Sequence, residues 1–332
     1  MYSASEAIMT TKIGDKAEDV LYAAKLIREG SLVAFPTETV YGLGGNALDR
    51  EASKKIYAVK GRPSDNPLIV HLSKWEDIYS VAYPTEQAKA LYDAFCPGPL
   101  TMILRKLPIV PDETTGGRDT VAIRFPSHPV ARALIEAAGV PIAAPSANVS
   151  KHVSPTTAWH VFNDLEGKID LILDGGDAEV GIESTIVDLT GEEPTVLRPG
   201  AITAEEIKTV LGEADYYRGE IKEALAPGMK YKHYSPHVPC YLAKRESLEN
   251  AYESLRKEGK HAVVIATDSI AKHLSQDTIL LGDCAREAQH RIYGALREAE
   301  KYDAAIIEDL SDRKEYFAAM DRIKKATGGN IL

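Results

Sequence analysis

Cations on a stiff loop and small hydroxyls at strand ends are the groups in this sequence best placed to handle an anion. Lys60 and Arg62 lie in Lys60-Gly-Arg-Pro-Ser-Asp-Asn-Pro67, where Pro63 and Pro67 restrict the chain and bring both cations to one place with Asn66 and His71. At an effective dielectric near 20, a cation about 4 Å from a phosphate contributes on the order of 4 kcal/mol before desolvation, so two such groups suit a polyphosphate. Lys54 and Lys55, on the preceding helix, read as a solvated face. A second segment, Val140-Pro-Ile-Ala-Ala-Pro-Ser-Ala-Asn148 followed by Ser154-Pro-Thr156, makes a rigid lip. Ser146 and Ser154 there can donate to phosphate or ribose oxygens, and Asn148 is equally a turn residue. Arg124 follows a strand and can grip a carboxylate with two parallel hydrogen bonds. A structural salt bridge is its alternative role, as a satisfied core histidine is for His71.

Phe35-Pro-Thr-Glu-Thr-Val-Tyr-Gly-Leu-Gly-Gly-Asn46 crowds threonine, glutamate and tyrosine at a strand end. Gly42, Gly44 and Gly45 either let the backbone approach something closely ahead of a helix or form a tight loop in which they serve only positive φ. Their G-x-G-G spacing is not the dinucleotide fingerprint, and the next strand offers His71 where an acidic ribose ligand belongs. No convincing Ser-His-Asp or Cys-His nucleophile set is present. His233 and His237 form H-x-x-x-H, but no cysteine or acidic third ligand stands near them, so no metal site is expected from protein side chains.

Alternating helices and strands must position these groups. Apolar residues at Val20, Ala23, Ala24 and Ile27 mark one face of a helix over Ala17–Glu29, capped by Gly30. Strands are expected at Leu32–Phe35, Leu68–Leu72, Thr101–Leu104, Val121–Phe125, Pro141–Ala144, Leu171–Leu173, Ser184–Leu189 and Thr195–Leu197. Helices are expected at Thr85–Phe95, Pro129–Ala138, Thr157–Leu165 and Ala204–Leu211. The last two strands of that set follow one another across a short turn, which favours a mixed sheet over a parallel one. Gly212 to Pro239 lacks periodicity, and a connection so long is functional or a linker. From Cys240 onward βαβ units resume and predict a second, smaller, doubly wound α/β domain.

The chain has 332 residues, which favours two domains. Its 39 Lys and Arg against 49 Asp and Glu leave a net charge of −10, which argues against a protein that coats nucleic acid. No stretch reaches the roughly 18–20 apolar residues of a membrane span, and Met1–Ile13 lacks the pattern of a secretion signal. Cys96, Cys240 and Cys284 are far apart and support no disulfide framework. A cytoplasmic protein is expected.

Several ordered segments together resemble the threonylcarbamoyl-AMP synthase family, in its long form with an extra carboxy-terminal domain. They are Phe-Pro-Thr-Glu-Thr-Val-Tyr-Gly-Leu-Gly (35–44), Lys-Gly-Arg-Pro-Ser-Asp-Asn-Pro-Leu (60–68), Pro-Gly-Pro-Leu-Thr (97–101) and Asp-Thr-Val-Ala-Ile-Arg (119–124). Ala-Ala-Pro-Ser-Ala-Asn (143–148), Gly-Ile-Glu-Ser-Thr-Ile (181–186), Leu-Arg-Pro-Gly (197–200) and Ala-Pro-Gly-Met-Lys-Tyr-Lys-His-Tyr (226–234) complete the set.

The resemblance implies a YrdC-type twisted mixed sheet over residues 15–205 after an extension over 1–14. A linker that acts as a lid over 206–238 and a Rossmann-like domain over 239–332 would follow. It implies that ATP, L-threonine and bicarbonate give threonylcarbamoyl-AMP and pyrophosphate, with magnesium accompanying ATP and no organic cofactor. The product would serve a downstream tRNA-modifying transferase complex, with tRNA contact weak or indirect. Carried over by motif, Thr37, His71, Arg124, Ala144 and Ser184 would surround threonine. Lys60, Arg62, Asn66, Thr120, Ser146, Ser154, Arg198 and Tyr234 would hold ATP. Lys60, Arg62 and Arg124 would act by positioning, and replacing Lys60 or Arg62 by alanine is expected to abolish pyrophosphate release with the fold intact. A related carbamoyl transferase of hydrogenase maturation would need an acylphosphatase region and cysteine zinc motifs, which this chain lacks. An RNA-binding module would need salt-sensitive tRNA affinity without ATP.

Overall fold

The computed structural model describes residues 10–219 and 234–332. Residues 220–233, including His233 and most of the 226–234 motif, lie outside the described residues.

Twelve strands form one mixed sheet: β1 (Lys12–Gly14), β2 (Val33–Phe35), β3 (Gly42–Asn46), β4 (Ile69–His71), β5 (Ala82–Tyr83), β6 (Leu100–Lys106), β7 (Thr120–Arg124), β8 (Ile142–Ala143), β9 (Leu171–Leu173), β10 (Thr185–Asp188), β11 (Thr195–Arg198) and β12 (Asp215–Tyr216). Their order is β1-β9-β2-β3-β8-β4-β7-β6-β10-β11-β12, with β5 on β6. The sheet thus takes in a strand ahead of residue 15 and another after residue 205, because β1 pairs with β9 and β12 with β11. Parallel and antiparallel pairs mix, as the close succession of β10 and β11 predicts. A second sheet of β13 (Cys240–Ala243), β14 (Ala262–Ala266), β15 (Thr278–Leu280) and β16 (Ala304–Glu308) is wholly parallel in the order β13-β16-β14-β15. Helices Leu248–Lys257, Ala285–Glu298 and Phe317–Thr327 accompany it. No helix among the described residues is long and apolar enough to cross a membrane.

The period of two along the central strands creates the site. Leu68, Val70, Leu72, Met102, Leu104, Val121, Ile123 and Val187 face one way, into the main core. Their neighbours face the other way. Ile69, Ile103, Ala122 and Ile186 form a small apolar floor, and the same face carries His71, Thr101, Thr120 and Arg124. In register, His71 stands beside Arg124 at one end of the parallel β4–β7 pair.

The glycines of the β2–β3 segment serve differently from the sequence expectation. Gly42–Asn46 is a strand rather than a tight loop, and Gly42, Gly44 and Gly45 are not among the positive-φ glycines. What Gly44 provides is room: a Cβ there would sit 2.8 Å from the Phe35 ring and 2.9 Å from Ile142. Phe35 in turn stands edge-on to His71, 5.9 Å between ring centroids. Gly44→Ala should therefore lower the unfolding free energy by about 1–3 kcal/mol through overpacking. Urea denaturation checks this, and an unchanged midpoint would show that Phe35 yields freely.

Candidate active site

One cavity gathers most of the residues singled out above. Thr37, His71, Arg124 and Ala144 line it, and so do Arg62, Ser146, Ser154, Arg198 and Tyr234. It holds about 50 Å³ of solvent-sized space, enough for a few waters, so a triphosphate enters only if part of the wall shifts.

Arg124 ends β7 almost fully buried, and its Nη2 lies 2.9 Å from Glu38 Oε1, itself buried. The charges touch, but among the described residues Glu38 Oε1 accepts no hydrogen bond. Nη2 also reaches Thr37 Oγ1 at 3.4 Å. Thr37 is fixed by its own loop: its Oγ1 donates to Val40 O at 2.6 Å and accepts from the backbone N–H groups of Thr39 and Val40. Among the described residues, Arg124 Nε has no hydrogen-bond partner. A buried donor of that kind calls for a ligand. His71 Nδ1 lies 3.1 Å from Ile69 O. Burial, and then the charge of Arg124, push its pKa down to about 3, so the ring is neutral in ordinary buffers. Both roles left open for these two residues are therefore met together: Arg124 has its salt bridge and His71 a backbone partner, yet both still line the cavity.

The remaining cations are anchored to backbone. Arg62 donates through Nε to Asn66 O and through Nη2 to Pro67 O, each at 3.1 Å. Burial, then nearby Arg198, lowers its pKa to about 10, which leaves it charged. Arg198 bonds Ser184 twice, Nε to the carbonyl at 3.0 Å and Nη2 to Oγ at 3.1 Å. Ser184 does not line the cavity; it supports Arg198 from behind and shares a 2.7 Å hydrogen bond with Thr101. Lys60 is also behind the wall. Its Nζ donates to the carbonyls of Ser146 and Asn148, the latter at 2.5 Å, and so fixes the lip. Burial, then repulsion from Arg62, drives its pKa well below the usual value. This corrects the expectation that Lys60→Ala spares the fold, because the substitution leaves buried carbonyls without a donor, at about 1–3 kcal/mol each.

Asn66 and Thr120 do not line the cavity either. Thr120 starts β7, roughly 13 Å from Arg124 at ~3.3 Å per residue. The β4–β7 register continues back to place Pro67 beside it, so Asn66 and Thr120 mark the other end of the same strand pair. Asn66 Oδ1 is buried and, among the described residues, unpartnered.

A family model described as "Telomere recombination" matches residues 25–200. A second, described as "Threonylcarbamoyl-AMP synthase, C-terminal domain", matches residues 202–328. A Pyrococcus abyssi protein named threonylcarbamoyl-AMP synthase is 44% identical, over 93% of this chain and 94% of its own. A Bacillus subtilis protein of the same name is 42% identical over 98% and 97%. The chain belongs to the threonylcarbamoyl-AMP synthase family. Its fold agrees: the crystal structure of P. abyssi Sua5 complexed with L-threonine superposes with a TM-score of 0.91 at 41% identity, covering 98% of this chain and 99% of that one.

What the family motifs alone did not assign is the role of two carboxylates and of the carboxy-terminal unit. Glu38 orients Arg124. Glu183, which also lines the cavity, accepts from Ser154 Oγ at 2.6 Å on one oxygen. Its other oxygen accepts from Tyr293 Oη at 2.7 Å and Arg322 Nε at 3.0 Å. Tyr293 and Arg322 come from the two helices of the second unit that face the first, and Arg322 is fully buried. Arg322 also donates to Pro199 O at 2.7 Å and lies 5.6 Å over the Tyr234 ring. Tyr293 and Arg322 are each more than 100 residues from Glu183, and the pattern of the chain gives no signal of them.

Burial alone would raise the Glu183 pKa, but Arg322, Arg198 and the two hydroxyl donors hold it at about 2. A depressed carboxyl stabilises the fold above its unfolded pKa, near 4.3, and loses that stabilisation as pH falls towards 2. Glu183→Gln breaks the buried pair with Arg322, leaving Asp321 as that guanidinium's remaining carboxylate partner, and should cost about 3–5 kcal/mol at pH 7. The gap to the parent protein should narrow between pH 4.5 and 2 in parallel urea titrations, and a gap independent of pH would show that the carboxylate charge is not what matters.

Proposed function

We propose that this cleft joins L-threonine, bicarbonate and ATP into threonylcarbamoyl-AMP and releases pyrophosphate. The observation that carries the reading is one cavity holding both a guanidinium with an unpartnered donor, Arg124, and two further arginines beside serine hydroxyls. The first suits the carboxylate of an amino acid and the second suits a polyphosphate. Ala144 and Thr37 bound the side chain of threonine, and the neutral His71 ring faces its hydroxyl, while Ser184 acts through Arg198. Arg62, Arg198, Ser146 and Ser154 take the phosphates, with Lys60 fixing the lip and Tyr234 closing over the nucleotide. Asn66 and Thr120 take its far end, where the buried Oδ1 of Asn66 accepts from a ribose hydroxyl or the exocyclic amine. A nucleotide laid along the β4–β7 pair reaches both ends.

In the reaction the threonine amine adds to CO₂ formed from bicarbonate, loses a proton and becomes a carbamate. A carbamate oxygen then attacks the α-phosphorus. The bond from that phosphorus to the β-phosphate oxygen breaks, and pyrophosphate leaves with the electron pair. No protein nucleophile takes part; positioning and charge absorption by the arginines supply the acceleration. Magnesium arrives with ATP as part of the substrate. Glu38 and Glu183 are both committed to arginines, so they make a poor ligand pair for it. The product goes to a tRNA-modifying transferase that threonylcarbamoylates an adenosine beside the anticodon, and the net charge of −10 suits weak or indirect tRNA contact. The catalytic unit over 15–205, the lid over 206–238 and the carboxy-terminal unit over 239–332 are part of this proposal.

Mass spectrometry of the product from ATP, threonine and bicarbonate tests the reading, and AMP or ADP alone would refute it. Arg124→Lys should raise the KM for threonine at least about tenfold with a smaller effect on the KM for ATP, since a single ammonium loses the forked contact. Serine, one methyl short, should remain a poor but measurable substrate at about 1–3 kcal/mol of discrimination. Complete rejection of serine in ATP–pyrophosphate exchange would contradict this pocket.

A further inference from the structure

At the edge of the substrate cavity, whose lining includes His152, the junction between the two units brings together three side chains that the sequence keeps apart. His152 comes from the loop before the helix Ala158–Leu165, His237 from the segment entering β13, and Glu300 from the turn Ala299–Lys301. One potential ligand atom from each lies within 4.8 Å of the others. The absence of a nearby acidic ligand, which counted against a metal at His233-x-x-x-His237, is made good by Glu300 from the second unit.

We propose that His152, His237 and Glu300 form a zinc-type metal site that clasps the carboxy-terminal unit and the end of the linker onto the catalytic lip. The donor set matches the two-histidine, one-glutamate sets of open zinc sites, in which water completes the tetrahedron. The second layer is already built. His152 Nδ1 lies 3.2 Å from Asp164 Oδ2, and Arg297 holds that carboxylate through bonds of 2.9 and 3.1 Å. A carboxylate behind the ring fixes the tautomer with Nδ1 protonated and directs the lone pair from Nε2.

That lone pair points at Glu300 Oε1, 2.8 Å away. Two acceptors so close need a cation between them, either a proton or a metal ion. A zinc ion would release that proton to solvent and push the two atoms to roughly 3.3 Å apart, as bonds near 2.0–2.1 Å require. His237 is exposed, and its ring lies stacked on His152 with 4.3 Å between centroids, so a rotation of one ring brings it to the same ion. A groove lined by Trp159, His160 and Asn163 opens onto the cluster and gives the ion a way in. The site does not depend on which reaction the neighbouring cleft performs.

Titration of the full chain, free of any histidine tag, with Co(II) should give one ion per chain and the visible bands of a tetrahedral complex, which Zn(II) then displaces. Glu300→Gln and His237→Ala, both at partly or fully exposed positions, should keep the circular dichroism of the parent and weaken binding by on the order of 100-fold. Asp164→Asn should weaken it about 10–100-fold. Failure of the parent protein to bind Co(II) overturns the proposal, as does binding that survives unchanged in both ligand variants. Loss of binding in His233→Ala but not in Glu300→Gln would also overturn it, by assigning the ion to the H-x-x-x-H pair.

Discussion

Arg62, Arg124 and Arg198 line one cavity, with Lys60 buried behind its wall, and their surroundings are the means by which these cations stay there. Each is at most 9% exposed. Isolated charges at such depth would cost several kcal/mol apiece. The fold compensates in two ways. Arg62, Arg198 and Lys60 are surrounded by backbone carbonyls of rigid Pro- and Gly-rich turns, which offer partial negative charge without titrating. Arg124 and Arg198 also have full carboxylates near them, Glu38 and Glu183. Arg62, Arg124 and Arg198 face Glu38 and Glu183, and Glu183 is shared with Arg322, so the lining carries an excess of positive charge that an anionic ligand completes. The same arithmetic explains why an acidic protein can hold a basic pocket.

The elements were legible where one local rule decides them. The helices predicted over Pro129–Ala138 and Ala204–Leu211 occur with those bounds, since each has a cap, an apolar face and a glycine stop. Strands β2, β4, β6, β7, β9, β10 and β11 appear within a residue or two of their apolar runs. The strand Gly42–Asn46 was not legible, because its three glycines have low strand propensity; it forms because only glycine fits between Phe35, Ile142 and Leu32. β1, β5 and β12 are two or three residues long and exist by pairing alone.

Site residues divide in a similar way. Motif positions bring nine side chains to one cavity, but they do not say which of the others work from behind. Lys60 and Ser184 look like ligands in sequence and prove to be supports, because the carbonyls of Ser146 and Asn148 and the side chain of Arg198 lie between them and the space. Glu38 sits inside a quoted motif, yet its role depends on Arg124, 86 residues later. Glu183 depends on Tyr293 and Arg322 from a different fold unit. Long-range charge pairing leaves no periodicity, so only coordinates reveal it.

The carboxy-terminal unit is therefore part of the wall rather than an appendage. Val40, Val153 and Ile182, each from a loop that carries site residues, belong to the same apolar cluster as Leu281, Ile292 and Ile323 of the second unit. Gly181 adopts a positive φ, and a Cβ there would lie 2.4 Å from His290 O, which is how closely the Glu183 loop seats on the helix Ala285–Glu298. An interface with a shared core and buried charge pairs does not swing open as a lightly tethered domain would. Tyr234 lines the cavity from the end of the linker, and the backbone is unusual there. Tyr234 and Lys151 are the non-glycine residues with positive φ among those described, and they are adjacent, joined by the Ser235 N–H to the Lys151 carbonyl at 3.1 Å. Strain of about 1–3 kcal/mol at each, released as Tyr234 leaves the cavity, would offset part of the cost of uncovering it. Tyr293 and Arg322 meanwhile hold Glu183, and through it Ser154, in place.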